Sequence, residues 1–276
     1  MIDMHIHSNY SDGKLTPFEI IDRCIKNNVN KMSITDHDTV EAYSDELFDY
    51  CKNNNIEIIT GVEISTRYNK KSIHVLGYNI DINNKELINK LETLRNSRHD
   101  YLYKVGTKLK ELGYFINVEE LDKVDSVTKA HIALDIINNK KNYDLLNNIF
   151  GHIPNKGEFI ETIMNEGCPA YVKKESITPS EASKLIKNAG GKVILAHPVA
   201  YTYEDGLNEN DILEIINTMD IDGIEANYIY IDRNNIKHDD IDKWNEFANK
   251  YNLETTTGSD FHEYDNIHPD IGLIIK

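Results

Sequence analysis

The chain opens on an alternation. Ile2, Met4 and Ile6 are apolar and Asp3, His5 and His7 are polar, the two-residue period of a strand with one face against a core and the other carrying potential ligands. Further β-rich runs follow at residues 31–35, 56–64, 72–80, 192–196, 223–227 and 253–257, separated by segments of helical period. That rhythm predicts parallel βα units. Two helix starts are written in capping chemistry: Thr16-Pro17-Phe18-Glu19 and Thr178-Pro179-Ser180-Glu181 each offer an N-cap, a proline at the first helical position and a capping-box glutamate. Gly190-Gly191 provides a stop for the second. Between residues 83 and 175 the period becomes helical, with Leu87, Leu91, Leu94, Leu102, Val105, Leu109 and Leu112 marking long stripes. The pattern therefore predicts an α/β domain made of residues 1–82 and 176–276, interrupted by a mainly helical insertion at 83–175.

Composition narrows the function. A chain of 276 residues, 40% hydrophobic and 28% charged, supports a proper globular core. Its formal net charge of −16 argues against a broad basic face for long duplex nucleic acid. No apolar run approaches the ~20 residues that cross a bilayer, and the start lacks the basic and apolar segments of a signal peptide, so the expectation is a cytoplasmic protein with no membrane partner. The three cysteines, Cys24, Cys51 and Cys168, have no metal-type spacing and read as structural.

The residues that look misplaced fall at strand ends: Thr35-Asp36-His37-Asp38, Gly61-Val62-Glu63, Ile73-His74-Val75, Leu195-Ala196-His197-Pro198, Gly223-Ile224-Glu225 and Gly258-Ser259-Asp260-Phe261-His262. In an α/β barrel the C-terminal ends of parallel strands open onto one mouth. Singly, each has an ordinary explanation: His74 a satisfied core histidine, Glu225 a buried acid paired to a lysine, Asp36 a helix cap. Jointly those explanations fail, because the same chemistry recurs at one strand end after another. Imidazole and carboxylate without thiolate suit Zn, Mn or Fe(II), and the count exceeds the needs of one ion. Two or three divalent ions would use it, and such clusters serve displacement at phosphorus. Hydrolysis of a phosphate ester is the matching reaction.

These motifs, in order, resemble the polymerase and histidinol phosphatase (PHP) family: Asp3-x-His5-x-His7 with Ser11-Asp12-Gly13, then Thr35-Asp36-His37, Gly61-Val62-Glu63, Ala196-His197-Pro198 and Gly258-Ser259-Asp260-Phe261-His262. The resemblance implies a distorted (β/α)7 barrel and a trinuclear metal site. It implies that His5, His7, Glu63 and Asp260 ligate one ion, that Glu63 bridges to a second held by His74 and His197, and that Asp12, His37 and His262 hold a third. Asp3 and Asp36 fall in a supporting role that orients neighbouring imidazoles, and Glu225 is a candidate for the same role.

The insertion carries Arg95, Arg98, the run Thr128-Lys129-Ala130-His131-Ile132-Ala133 and Gly167-Cys168-Pro169-Ala170-Tyr171-Val172. It is similar to stand-alone PHP phosphoesterases acting on nucleoside 3′,5′-bisphosphates and short 5′-phosphorylated oligoribonucleotides. The resemblance implies attack by a metal-bridging hydroxide on a terminal phosphoryl group, with Glu63, Lys129 and His131 as catalytic residues and Arg95, Arg98, Lys129 and His131 on the substrate. His131 and a metal-bound water are alternative general acids. Those relatives read Arg-Pro-His where this chain reads Lys129-Ala130-His131, and lysine keeps the charge while losing the bidentate fork of arginine. Glu263 stands where a glycine is frequent and adds negative charge near the mouth. A histidinol-phosphate phosphatase is the alternative enzyme, although the insertion suits a nucleotide better. A metal-binding module without catalysis is the alternative of another class, and against it every expected ligand position is filled.

Overall fold

The computed structural model describes residues 1–123, 127–173, 176–232, 234–265 and 267–272, with the side chains of Arg98 and His99 outside that description. The chain forms two compact units, Met1–Glu92 with Ser176–Lys276, and Thr93–Glu175. The first is a mixed α/β fold around parallel-rich sheets. Its strands are β1 (Ile2–Ile6), β2 (Lys31–Ile34), β3 (Glu57–Ile58), β4 (Gly61–Tyr68), β5 (Lys71–Tyr78), β6 (Lys192–Leu195), β7 (Gly223–Asn227), β8 (Tyr230–Ile231), β9 (Lys237–His238) and β10 (Glu254–Thr257).

One sheet has the order β1-β2-β3, all parallel, and the second runs β10-β7-β6-β5-β4. In the second, β10, β7 and β6 are mutually parallel, whereas β5 is antiparallel to both β6 and β4. The expected series of parallel βα units is therefore broken at one point. The cause is the Asn69-Lys70 turn, whose two residues have φ of 47° and 70°, the paired left-handed conformation of a tight hairpin. The run expected as one strand over 56–64 is also divided. Ile59 makes the last backbone bond to β2, donating to Met32 O at 2.8 Å, and Thr60 Oγ1 then donates to Ile80 O at 2.7 Å, so the chain changes sheet at this step.

Between the sheets, short stretches replace full ladders. His7 N donates to Phe261 O at 2.9 Å beside a parallel bridge between Ile6 and Phe261. On the other side, Asp38 N donates to Glu63 O at 2.9 Å beside a bridge between His37 and Glu63. Further along this second seam the Tyr43 hydroxyl does the work of a missing strand partner. It donates to Ile34 O of β2 at 2.6 Å and accepts from Gly61 N of β4 at 2.8 Å. Ile6, Ile20, Ile21, Met32, Ile34 and Leu47 are fully buried in the adjoining core.

Helices Pro17–Lys26 and Pro179–Asn188 both start in complete capping boxes at Thr16 and Thr178, each with proline in the first turn. In the second unit the helices include the C-terminal part of Lys85–Glu111 and all of Lys129–Asn138, Tyr143–Phe150 and Lys156–Phe159, and no strand occurs there among the described residues. Their core gathers Leu102, Val105, Leu109, Ile132, Ile136, Leu146 and Phe159. Leu112, the last residue of the expected stripe, is exposed. Among the described residues no helix is long and apolar enough to cross a membrane.

Replacing Tyr43 by phenylalanine removes one buried hydroxyl and strips Gly61 N–H and Ile34 C=O of their shared partner. Urea denaturation should show a loss of roughly 1–3 kcal/mol, the cost of unpaired buried polar groups.

Candidate metal centre

Strand alternation sends His5 and His7 to one side of β1 while Ile6 packs into the core, and all three are fully buried. Behind His5 stands Glu225 of β7, both carboxylate oxygens 3.0 Å from His5 Nδ1. A proton held there leaves Nε2 of His5 as a lone pair pointing inward. His262 is set in the same way, its Nδ1 donating to Asp260 O at 2.8 Å.

The inward atoms form three overlapping groups, each with its donor atoms within 4.8 Å of one another: His5, His7, Glu63 and Asp260; His37, Glu63 and His74; and His7, Asp12, His37 and His262. In the first, His5 Nε2 lies 3.1 Å from His7 Nε2 and 3.3 Å from Asp260 Oδ1. Glu63 Oε2 is 3.2 Å from His7 Nε2 and 3.1 Å from His37 Nδ1. Its other oxygen is 2.9 Å from His74 Nδ1 and 3.2 Å from His197 Nε2. Asp12 Oδ1 is 3.3 Å from His262 Nε2. All nine residues expected as ligands thus come together. Beyond the expected grouping, His7 also faces Asp12, and His37 also faces Glu63.

The donor set fits cations. Asp12 Oδ1, His37 Nδ1, Glu63 Oε2 and His197 Nδ1 are buried without a hydrogen-bond partner, a costly state for polar atoms. Burial opposes the charge on Glu63, but the imidazoles of His37, His74 and His5 outweigh it and hold the carboxyl well below its usual range. Burial likewise opposes a charged His7, yet the Asp260 and Glu63 carboxylates push its pKa up to about 10. His37, dominated by burial, is pushed down to about 3. Imidazole nitrogens and carboxylate oxygens in this density, with no thiolate, are donors for divalent Mn, Fe or Zn.

The supporting residues act differently from one another. Glu225 orients His5 directly and also accepts from His197 N at 3.0 Å. Of Asp3 and Asp36, expected to orient imidazoles, Asp3 holds backbone, while Asp36 holds both backbone and the Ser11 hydroxyl, which lies 3.4 Å from His7 Nδ1. Asp3 accepts from Ser259 N at 3.0 Å and Gly272 N at 2.8 Å, tying β1 to the loop that carries Asp260, and burial pushes its pKa up to about 6. Asp36 accepts from Ser8 N and from the hydroxyls of Ser8 and Ser11, at 2.6–2.7 Å, and so fixes the loop leading to Asp12.

Backbone conformation concentrates here too. His197 and Asp260 have φ of 26° and 54°, a left-handed region rare for such residues and frequent at functional sites. Gly258 allows the closest packing: a Cβ there would lie 2.1 Å from Glu225 Oε1 and 2.3 Å from His5 Cβ. Sequence reasoning did not single out Tyr201 and Tyr228. Tyr201 accepts from His74 N at 2.8 Å, and Tyr228 donates to Asp260 Oδ2 at 3.3 Å. Their position directly after the Ala-His-Pro run and β7 was the available signal.

The insertion residues belong to the second unit. Lys129 opens the helix Lys129–Asn138 and its Nζ donates to Asn165 Oδ1 at 2.9 Å. His131 is the third residue of that helix, its Nδ1 accepting from Thr128 N at 3.2 Å in a capping box. Arg95 is half-buried in the helix Lys85–Glu111, and the side chain of Arg98 lies outside the described residues.

A thiolate-free nest of imidazoles and carboxylates on a parallel-rich sheet marks a protein built to hold metal ions. Residues 3–253 match the model of the PHP domain, and the chain belongs to the PHP family. It is 31% identical over 263 residues, 94% of its length and 89% of the relative's, to a 5′-3′ exoribonuclease of Haemophilus influenzae. It is 26% identical over 275 residues, 98% of its length and 90% of the relative's, to a 3′,5′-nucleoside bisphosphate phosphatase of Chromobacterium violaceum. A solved amidohydrolase structure from Chromobacterium violaceum, with bound sulfate and no metal, is similar with a TM-score of 0.70 at 26% identity, covering 99% of this chain and 92% of that one. The chain is accordingly a phosphoesterase, a hydrolase acting on ester bonds, with imidazole and carboxylate groups that could hold metal ions.

Glu225→Gln keeps the shape of the carboxylate and removes its charge from His5. Metal affinity should fall about 10–100-fold, read by competition with a chromogenic chelator; an unchanged affinity would show that Glu225 does not govern His5.

Proposed function

We propose that this phosphoesterase hydrolyses a phosphate ester of a nucleotide, either a nucleoside 3′,5′-bisphosphate or a short 5′-phosphorylated oligoribonucleotide. The observation that carries the reading is the sharing of Glu63 among donor groups on several strands. Its substrate class is supported by the names of two relatives that match almost the whole chain, a 5′-3′ exoribonuclease and a 3′,5′-nucleoside bisphosphate phosphatase.

In this reading the short bonds at the two seams complete a distorted seven-stranded barrel of β1, β2, β4, β5, β6, β7 and β10, its mouth at the donor nest. His5, His7, Glu63 and Asp260 would hold one divalent ion; Glu63, His74 and His197 a second; Asp12, His37 and His262 a third. When bound, ions of this kind acidify water and neutralise the charge that builds on phosphorus.

The chain's own residues supply the rest. Glu63 stays ionised among five imidazoles, so it contributes charge and is not a proton donor. Glu225 and the Asp260 carbonyl fix which nitrogen of His5 and of His262 carries the proton. Lys129 offers a point charge to a phosphate. The contact of Thr128 N–H with Nδ1 of His131 leaves Nε2 as the nitrogen that would donate a hydrogen bond to a phosphate oxygen. Arg95 and Arg98 are further cationic candidates for a phosphate. No protein nucleophile is needed.

The test is a phosphate-release screen of 3′-phosphoadenosine 5′-phosphate, 5′-phosphorylated dinucleotides, mononucleotides and histidinol phosphate, with elemental analysis of the same preparation. Release from the bisphosphate or the dinucleotides is expected; preferential release from histidinol phosphate, or none from any, overturns the reading. Chelation should abolish the release and Mn restore it. Glu63→Gln should lower turnover by at least about 10²–10³-fold, the scale of losing one electrostatic stabiliser, with the thermal midpoint little changed.

A further inference from the structure

Asp260 presents two carboxylate oxygens, and the structure gives them different surroundings. Oδ1 lies 3.3 Å from His5 Nε2 and 3.1 Å from His7 Nε2. Oδ2 accepts from the Tyr228 hydroxyl at 3.3 Å. Asp260 also stands at φ 54°, so its backbone does not settle into a common conformation that would by itself aim the side chain. Tyr228 is well placed to aim it. It follows β7 directly, where Asn227 O accepts from Gly258 N at 3.3 Å and Asn227 Nδ2 reaches Thr256 O, so the pairing of β7 with β10 delivers it to the Asp260 loop.

The same tyrosine touches a second candidate ligand. Its ring centroid lies 5.6 Å from that of His197, whose ring also neighbours those of Tyr201 at 5.3 Å, His74 at 5.4 Å and His5 at 5.7 Å. His197 has a φ of 26° and a buried Nδ1 without a hydrogen-bond partner. Glu63 Oε1 meets Nε2 of that imidazole at 3.2 Å, and on the Nδ1 side, which has no polar partner, the flanking rings pack against it. Tyr228 and His197 are buried and Asp260 is partly so.

We propose that Tyr228 is a positioning residue of the metal centre: its hydroxyl occupies Asp260 Oδ2 so that Oδ1 alone faces His5 and His7, and its ring holds His197 toward Glu63. This deepens the phosphoesterase reading and rests on it. A carboxylate free at both oxygens could turn and offer either one or both to an ion; a hydrogen-bonded one presents a single defined donor.

The experiment compares wild type, Tyr228→Phe and, as a control, Tyr50→Phe, which removes an exposed hydroxyl bonded to Asp22. Apoprotein is titrated with Co²⁺ and followed by visible absorption, and kcat and KM are measured separately with Mn. Tyr228→Phe should weaken Co²⁺ binding about 10-fold, change the absorption band and lower kcat with KM unchanged, while Tyr50→Phe matches wild type. In a double-mutant cycle with Asp260→Asn, Tyr228→Phe should cost nothing further in Co²⁺ affinity, because its hydroxyl acts through Asp260. Equal Co²⁺ affinity and spectrum in wild type and Tyr228→Phe overturns the inference and leaves the metal reading standing. Loss of Co²⁺ only together with a collapsed thermal midpoint also overturns it, marking Tyr228 as a packing residue. A wild-type chain that binds no Co²⁺ removes the metal reading itself.

Discussion

Glu63 lies within 3.4 Å of five imidazoles, those of His5, His7, His37, His74 and His197, and is almost wholly shielded from water. Much of the surrounding structure answers the problem this creates. Lone pairs and carboxylate charge cannot be crowded in a low-dielectric interior unless positive charge joins them. Protons supply part of it in the free protein, which is why His7 is so basic; divalent cations are a better match to the number and softness of the donors. The strained backbone at His197 and Asp260, the close packing at Gly258 and the carboxylates anchored behind the cluster all hold this otherwise repulsive arrangement in place.

The supporting layer separates two tasks. Glu225 works on a ring, setting the proton of His5. Asp3 and Asp36 work on loops, one joining the first strand to the loop before Asp260 and the other fastening the loop before Asp12 through Ser8 and Ser11. A substitution at the first kind of residue changes a donor atom, and at the second kind it frees a whole segment. The site therefore depends on residues that never face an ion.

Much of this was legible in the chain itself. The alternation of residues 2–7 marked β1 and its ligand face, and the two threonine-proline capping boxes marked helix starts, because local chemistry decides both. The donor residues stood out since imidazoles and acids at strand ends need a reason. What escaped was set by tertiary context. The reversal of β5 depends on two left-handed residues, Asn69 and Lys70, which in sequence look like any polar linker. The break of 56–64 into β3 and β4 depends on where Thr60 finds a partner. The backbone role of Asp3 depends on Gly272, at the other end of the chain, and Tyr228 looked like one more of sixteen tyrosines until its hydroxyl was seen on Asp260.

The Tyr43 hydroxyl has a consequence for how such a centre can change over generations. His37 and Glu63 approach each other across a seam held by a few bonds and one phenol, not along a continuous ladder. A ladder quantises spacing in whole residues, whereas a side-chain hinge permits adjustments of tenths of an ångström. Drift on either side of that seam can retune the distance between two donors, and with it the preference among ions of different radius, while both sheets keep their pairing intact.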